Sequence, residues 1–358
     1  MLNYFLKKLL YALFTLFGVV TVIFFLFNVL PGDPARMMLD QNENTEQLTA
    51  IKKKYGFDQS LGKQYLLYLN DLSPLSVHSK QVEDYTFNTN GKYNGIELFA
   101  IGQQSLLLKT PYLRESFQKN GKKVSTIIAE TLPNTVVLAF LAIGLALVVG
   151  VVLGIISALF HNTWIDKFIA IISTFGMSVP SFFSAIFFAW IFGYLLHEYT
   201  HLPMTGSLYE VDDFDNGRYL ALKNAILPAI VLGIRPLAVV NQLMRNALLE
   251  VLNQDYIRTA KAKGLTTFKI VYKHAIKNAL NPVVTALSGW FASMLAGAVF
   301  VEFIFGWNGL GKEIVEALNT LDLPIIMGAV LIIATTFVII TILVDLIYAY
   351  LDPRVKLY

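Results

Sequence analysis

A chain of 358 residues that is 55% apolar and only 15% charged does not fit a soluble domain, where about 45–50% apolar and about 25% charged is usual. A net charge of +3 gives no ground for a nucleic-acid partner, and the absence of cysteine excludes disulfides and cysteine-bound zinc or iron–sulfur centres. What remains is a set of membrane spans, each needing about 20 apolar residues.

In chain order, Leu9–Leu30 carries no charge and follows Lys7-Lys8. It is too long for the apolar stretch of a signal peptide and no small-residue cleavage site follows, so it reads as the first span. Residues 31–132 form a long polar segment. Within it Gln47–Tyr55 and Gln64–Leu72 read as amphipathic helices, and Thr89-Asn90-Gly91 inside Tyr85–Ile101 reads as a hairpin turn. The segment is expected to be a small extracytoplasmic cap of mixed structure. Further spans are expected at Val136–Phe160, Phe168–Leu196, Ala225–Leu243, Pro282–Val301 and Pro324–Leu351. The third should kink at Ser178-Val179-Pro180-Ser181, the fourth holds Pro228, Arg235 and Pro236, and the sixth holds Asp345.

Orientation follows from basic residues in short loops. Arg245, Arg258, Lys261, Lys263, Lys269, Lys273 and Lys277 face only Glu250 and Asp255 between the fourth and fifth spans, which puts that loop in the cytoplasm. The acidic loop 197–224 and the loop 302–323, whose one basic residue is Lys312, then lie outside. The fold class is an all-α membrane protein of six spans with both termini cytoplasmic. Its domains are the first span (1–30), the cap (31–132) and a five-span core (133–358).

Ala142, Ala146, Gly150, Gly154 and Ala158 recur every four residues, as do Gly289, Ser293 and Gly297. Such stripes let another helix approach closely; either one could instead face a partner subunit or a pore. Gly306–Lys312 matches the first seven positions of a phosphate-binding loop, but Glu313 stands where a magnesium-binding Ser or Thr is needed and no strand precedes it. The glycines there read as a turn into a short helix at Lys312–Leu318. His197 and His201 have helical metal-ligand spacing without a third ligand, so no metal site is expected. No catalytic centre is legible. Arg235 lies midway along a span, where a charge must meet a partner or a water-filled path. Two readings satisfy that: contact with an anionic group on a passing solute, or a buried pair with Glu302 or Asp345.

One basic stretch stands out. Asp255–Lys263 reads as a short helix stopped by Gly264, with Thr266 or Thr267 capping a second helix to about Ala279. Arg258-Thr259-Ala260-Lys261-Ala262-Lys263-Gly264 resembles the cytoplasmic E-A-A-x-x-x-G loop of ABC importer permeases. Asn253–Val284 is similar to the oligopeptide/dipeptide branch. The resemblance extends to Leu30-Pro31-Gly32-Asp33-Pro34, Ile128–Thr135, Val301-Glu302 through Gly311, Asp345, and Leu351-Asp352-Pro353-Arg354. Arg258 and Thr259 replace the motif's Glu and Ala, Asn281 precedes Pro282 in place of an aliphatic residue, and Ser73–Thr110 looks inserted.

The resemblance implies a permease subunit of an ATP-driven importer for di- or oligopeptides in a bacterial inner membrane, with no catalysis of its own. It implies that Tyr256, Arg258, Ala260, Lys261, Lys263 and Gly264 contact one of two separate ABC ATPase subunits. Those chains would hold ATP and magnesium, and this chain would bind no cofactor. A second homologous permease would complete the path, for which Arg235 and Glu302 are the candidate residues here. A solute-binding protein or lipoprotein would deliver the solute, and membrane lipid would surround the spans. The inserted stretch is expected to touch the binding protein or the partner permease. The same machine carrying nickel or glutathione is the nearest alternative. A stand-alone channel or secondary transporter would need intramembrane carboxylates, and mainly Asp345 and Glu302 are present.

Overall fold

The computed structural model describes residues 2–29, 35, 45–82, 84–88, 91–211 and 217–351. The motifs Leu30–Pro34 and Asp352–Arg354, the turn residues Thr89 and Asn90, and the surroundings of Asp345 and Gly297 lie outside the described residues. Contacts divide the chain into two compact units. One comprises Met1–Leu10, Thr131–Val315 and Thr335–Tyr358; the other comprises Tyr11–Glu130 and Glu316–Ala334. The sequence reading divides at 30 and 132, whereas contacts group most of the first helix with the cap.

The second unit begins in helix α1 (Leu2–Val29), which is apolar enough to cross a membrane over Leu6–Asn28. Helices α2 (Thr45–Tyr55) and α3 (Leu61–Leu72) follow, close to where amphipathic patterning puts them. Phe24 of α1 stacks on Tyr68 of α3 at 5.6 Å between ring centres, and Thr21 shares a 2.6 Å hydrogen bond with Tyr65. The unit's strands are β1 (Leu75–Ser79), β2 (Gly95–Ile101) and β3 (Gln104–Lys109), in the order β1-β3-β2, both pairings antiparallel. The sequence reading puts a hairpin turn at Thr89-Asn90-Gly91. The observed hairpin instead joins β2 to β3 through Gly102-Gln103. Gly102 has φ +59°, the conformation a tight two-residue turn needs at its first central position. Residues 84–88 carry no strand.

At the centre of this unit lies Asp71, fully buried. Its carboxylate accepts from Tyr85 Oη at 2.8 Å, Tyr93 Oη at 3.0 Å and Arg114 Nε at 3.0 Å. Lys109 donates to its main-chain carbonyl. A buried carboxylate persists only when its lone pairs are met by donors of this kind.

Among its described residues the first unit is helical apart from turns and the two-stranded ribbon β4 (Tyr209–Val211) and β5 (Arg218–Leu220). Three of the helices that follow, at Val124–Leu159, Leu310–Thr320 and Leu323–Leu351, also contribute residues to the second unit. Helix α4 (Val124–Leu159) is 36 residues long, about 54 Å at 1.5 Å per residue, and so exceeds a bilayer core of about 30 Å. Helix α5 (Trp164–Ser178) and helix α6 (Ser181–Phe188, prolonged by a π-helical stretch to Leu195) meet at 107°. Pro180 breaks the ladder, so the expected kink is a sharp turn. Helix α7 (Ile226–Leu252) is followed by α8 (Asp255–Ala262) and α9 (Thr267–Ile270). Helices α10 (Asn281–Gly297) and α11 (Val299–Phe305) meet at 60°. Helix α12 (Leu310–Thr320) falls where the short helix after the glycines is expected, and α13 (Leu323–Leu351) follows it. Among the described residues four helices are long and apolar enough to cross a membrane, or up to six spans if each bent pair counts as one; this is a multi-pass membrane protein.

The first small-residue stripe packs inside the chain. A Cβ on Gly150 would sit 2.7 Å from Val240 Cγ1 and 2.9 Å from the Leu237 carbonyl, and one on Gly154 would sit 2.6 Å from Met244 Cβ. Ala142 and Ala146 are fully buried. The stripe therefore seats α4 directly on the backbone of α7. The second stripe differs: Gly289 and Ser293 are exposed, and nothing lies within 4 Å of a Cβ at Gly289.

Candidate functional site

Helix α8 has one face in and one face out. Ile257 and Ala260, one turn apart, are buried in a cluster with Met244 and Leu248 of α7 and with Ile270, Ala275 and Ala279 of the following turns. Tyr256, Arg258, Lys261 and Lys263 are exposed. Ala260, small as the sequence requires there, is 6% exposed and anchors the helix to its own bundle. A residue larger than alanine would hold the two helices apart, which is why the position is small.

Gly264 ends the helix as expected. Its φ is +76°, a region that costs any side chain with a Cβ. The main chain closes with Leu265 N donating to Ala260 O at 3.3 Å and Gly264 N to Lys261 O at 2.9 Å, the paired bonds of a Schellman stop. Leu265 returns to the core beside Ala260. Thr266 then caps α9, accepting from Lys269 N. Arg258 and Asp255 form an exposed pair at 3.4 Å, which contributes little in water, so the outward face stays basic. Tyr256 is steadied by Asn278, which donates to its hydroxyl at 2.8 Å. Next to this face Phe268 and Tyr272 stack with rings nearly parallel, 6.2 Å apart, and stand 78% and 68% exposed. Sequence reasoning missed this pair, although i, i+4 aromatics on a basic helix were the signal.

A clasp fixes α5 on α7. Arg245 donates from Nε to Asp166 Oδ1 and from Nη2 to Oδ2, each at 2.7 Å. Ser157 donates to the same carboxylate, as does the Asn162 amide at 3.0 Å. Arg245 enters the sequence reading only as an orienting charge, and Asp166 enters not at all, because a pair 79 residues apart leaves no local pattern.

Glu302 is fully buried. One carboxylate oxygen accepts from Gly311 N at 2.7 Å and Lys312 N at 3.3 Å, so it caps α12 rather than facing open space. Gly309 and Gly311 lie against it: a Cβ at Gly311 would stand 2.5 Å from Val299 Cα and 2.8 Å from Glu302 Oε2. The amides that resemble a phosphate-binding loop are filled by this chain's own carboxylate. Trp307 is fully buried and donates to Asn134 O at 3.1 Å, and Leu310 N donates to Thr135 Oγ1 at 2.8 Å. Arg235 is exposed, and its guanidinium lies 3.5 Å from the Val179 carbonyl, one of the groups orphaned by the break at Pro180. It makes no ion pair with Glu302. Among the described residues no three His, Asp or Glu side chains gather as a metal site.

An apolar multi-helix bundle that carries a basic two-helix hinge defines a class. The family described as binding-protein-dependent transport system inner membrane component matches residues 150–357, and the N-terminal family of the same membrane components matches residues 1–78. The chain belongs to this family. It is 33% identical to the dipeptide transport system permease protein DppB of Alkalihalophilus pseudofirmus, over 99% of this chain and 100% of that protein. It is 34% identical to a putative peptide permease protein of Brucella suis, over 99% of both. The dipeptide transport system permease protein DppB of Bacillus subtilis is 32% identical, over 100% of this chain and 99% of its own length. An inward-facing structure of the MetNI methionine ABC transporter covers 63% of this chain and 97% of its own, with 16% identity and a TM-score of 0.50. That likeness is one of fold.

Proposed function

We propose that this chain is the membrane subunit of an ATP-driven importer of di- or oligopeptides, in a bacterial inner membrane with both termini cytoplasmic. The observation that carries the coupling half of this reading is α8: a helix pinned through Ile257 and Ala260 with Tyr256, Arg258, Lys261 and Lys263 turned out. Such a helix transmits a push to the bundle because its anchor is the core itself. Two separate ATPase chains hold ATP and magnesium, and this chain binds neither. The relatives named for dipeptides and peptides favour that solute over nickel or glutathione.

A second, homologous permease completes the path, with the open face at Gly289 and Ser293 turned toward it. Arg235 faces the path near the broken helix pair. A solute-binding protein or lipoprotein delivers the peptide, and residues 73–110 touch that protein or the second permease. Affinity purification of the complex through this chain tests the reading. Two ATPase chains, a second permease and ATP-dependent peptide uptake after reconstitution are expected. Recovery of this chain alone, active without ATP, would refute it. In the same vesicles Arg235→Gln should change the preference between acidic and neutral peptides with assembly unchanged.

A further inference from the structure

The second unit holds an open cavity of about 570 Å³ whose lining includes Tyr55, Tyr85, Phe87, Tyr112, Lys92 and Arg114. That volume lies in the range of small-ligand sites, roughly 300–1,000 Å³. Lys54 and Lys123 add cationic wall, and Asp84 and Glu115 supply two carboxylates. The charges are therefore of both signs, on an aromatic floor.

Lys92 is the unusual member. Its ammonium sits 3.8 Å from the Tyr85 ring centre, 4.9 Å from Tyr93 and 5.7 Å from Tyr112. It donates to the Tyr85 carbonyl at 2.7 Å and makes no ion pair among the described residues. An ammonium has three donors, and one is used. The buried carboxylate of Asp71 is taken by Tyr85, Tyr93 and Arg114. Burial lowers the Lys92 pKa to about 8, against the upward pull of Asp71, Glu115 and Asp84 and with Arg114 pushing the same way as burial. A desolvated cation on aromatic faces with spare donors matches a ligand carboxylate.

We propose that this cavity binds a short peptide with free termini, its carboxylate on Lys92 and its ammonium toward Asp84 and Glu115. The aromatic walls take the side chains, and the fit favours peptides ending in an aromatic residue. Calling the ligand a peptide rests on the transport reading above; the pairing of both charges follows from the lining.

The test is amine acylation of the purified full-length chain at pH 8, read by mass spectrometry at Lys92, with alanyl-phenylalanine as probe. Without peptide Lys92 should acylate faster than an ordinary lysine, because burial lowers its pKa. Saturating dipeptide should slow Lys92 by about tenfold, as occupancy near 90% requires, with Lys80, elsewhere on the unit, unchanged. The C-terminal amide of the same dipeptide should protect far less. Protection by the amide equal to that by the acid overturns the proposal. So does no protection by either, or a Lys92 that never acylates, since an amine closed to the reagent is closed to a peptide. The Lys92→Gln chain, checked for an unchanged melting transition, should bind the dipeptide at least tenfold more weakly in titration calorimetry; equal affinity would also overturn it. None of these readings needs an ATPase or transport, so the site can fail while the α8 assignment stands.

Discussion

Asp166→Ala should destabilise the first unit by about 3 kcal/mol, the low end of the range for breaking a buried pair. Arg245 would keep its charge, at 24% exposure, with its fork-shaped partner gone; Asp166 itself is only 5% exposed. Ser157 and the Asn162 amide would lose their acceptor too. The double change Asp166→Ala with Arg245→Leu should recover most of the loss, because an apolar pair avoids desolvating a charge. Denaturant titration of the chain in detergent, run as a double-mutant cycle, reads the coupling directly. A single-variant loss under about 1 kcal/mol, in the range of exposed pairs, would mean the clasp is ornamental.

The second large effect is at α8, and it separates two ways of failing. Ala260→Phe inserts a ring where Met244, Leu248 and Ile270 already meet, an overpacking cost of about 1–3 kcal/mol. The helix should lift from the bundle, and uptake should fall at least tenfold together with a lowered melting temperature. Lys261→Glu with Lys263→Glu changes only exposed side chains and should leave stability within about 0.5 kcal/mol. Uptake and ATPase recruitment should fall nonetheless, because the lost interaction lies outside the chain. Retention of full uptake by Ala260→Phe would show that the anchor carries no force. A large stability loss in the charge-reversed variant would show that the lysines serve this chain's own fold.

What sequence reveals here follows the range of the interaction. The Ala142–Ala158 stripe, the break at Pro180 and the stop at Gly264 were legible because each depends on local backbone or side-chain size. The 107° and 60° bends were not, since a proline or glycine marks a break without fixing its angle. The resemblance groups Ala260 with the ATPase contacts, while the burial of Ala260 together with Ile257, one turn earlier, appears only once α8 is packed on α7. Asn90-Gly91 is the strongest local turn signal, yet β2 pairs forward, across Gly102-Gln103. The Asp166–Arg245 clasp and the Glu302 cap arise only once distant segments meet. The Lys92 cavity likewise joins α2, the turn after β1 and the chain after β3, and no sequence window contains it.

The chain has no cysteine, so single cysteines can be placed cleanly on the exposed face of α8. The decisive measurement attaches a photoreactive maleimide at Lys261→Cys or Lys263→Cys in the assembled transporter and identifies what is captured. An ATPase subunit should be captured from both positions and not from Lys80→Cys, which is exposed on the other unit. Capture from Lys80→Cys alone, or no ATPase from either α8 position, would contradict coupling through this helix.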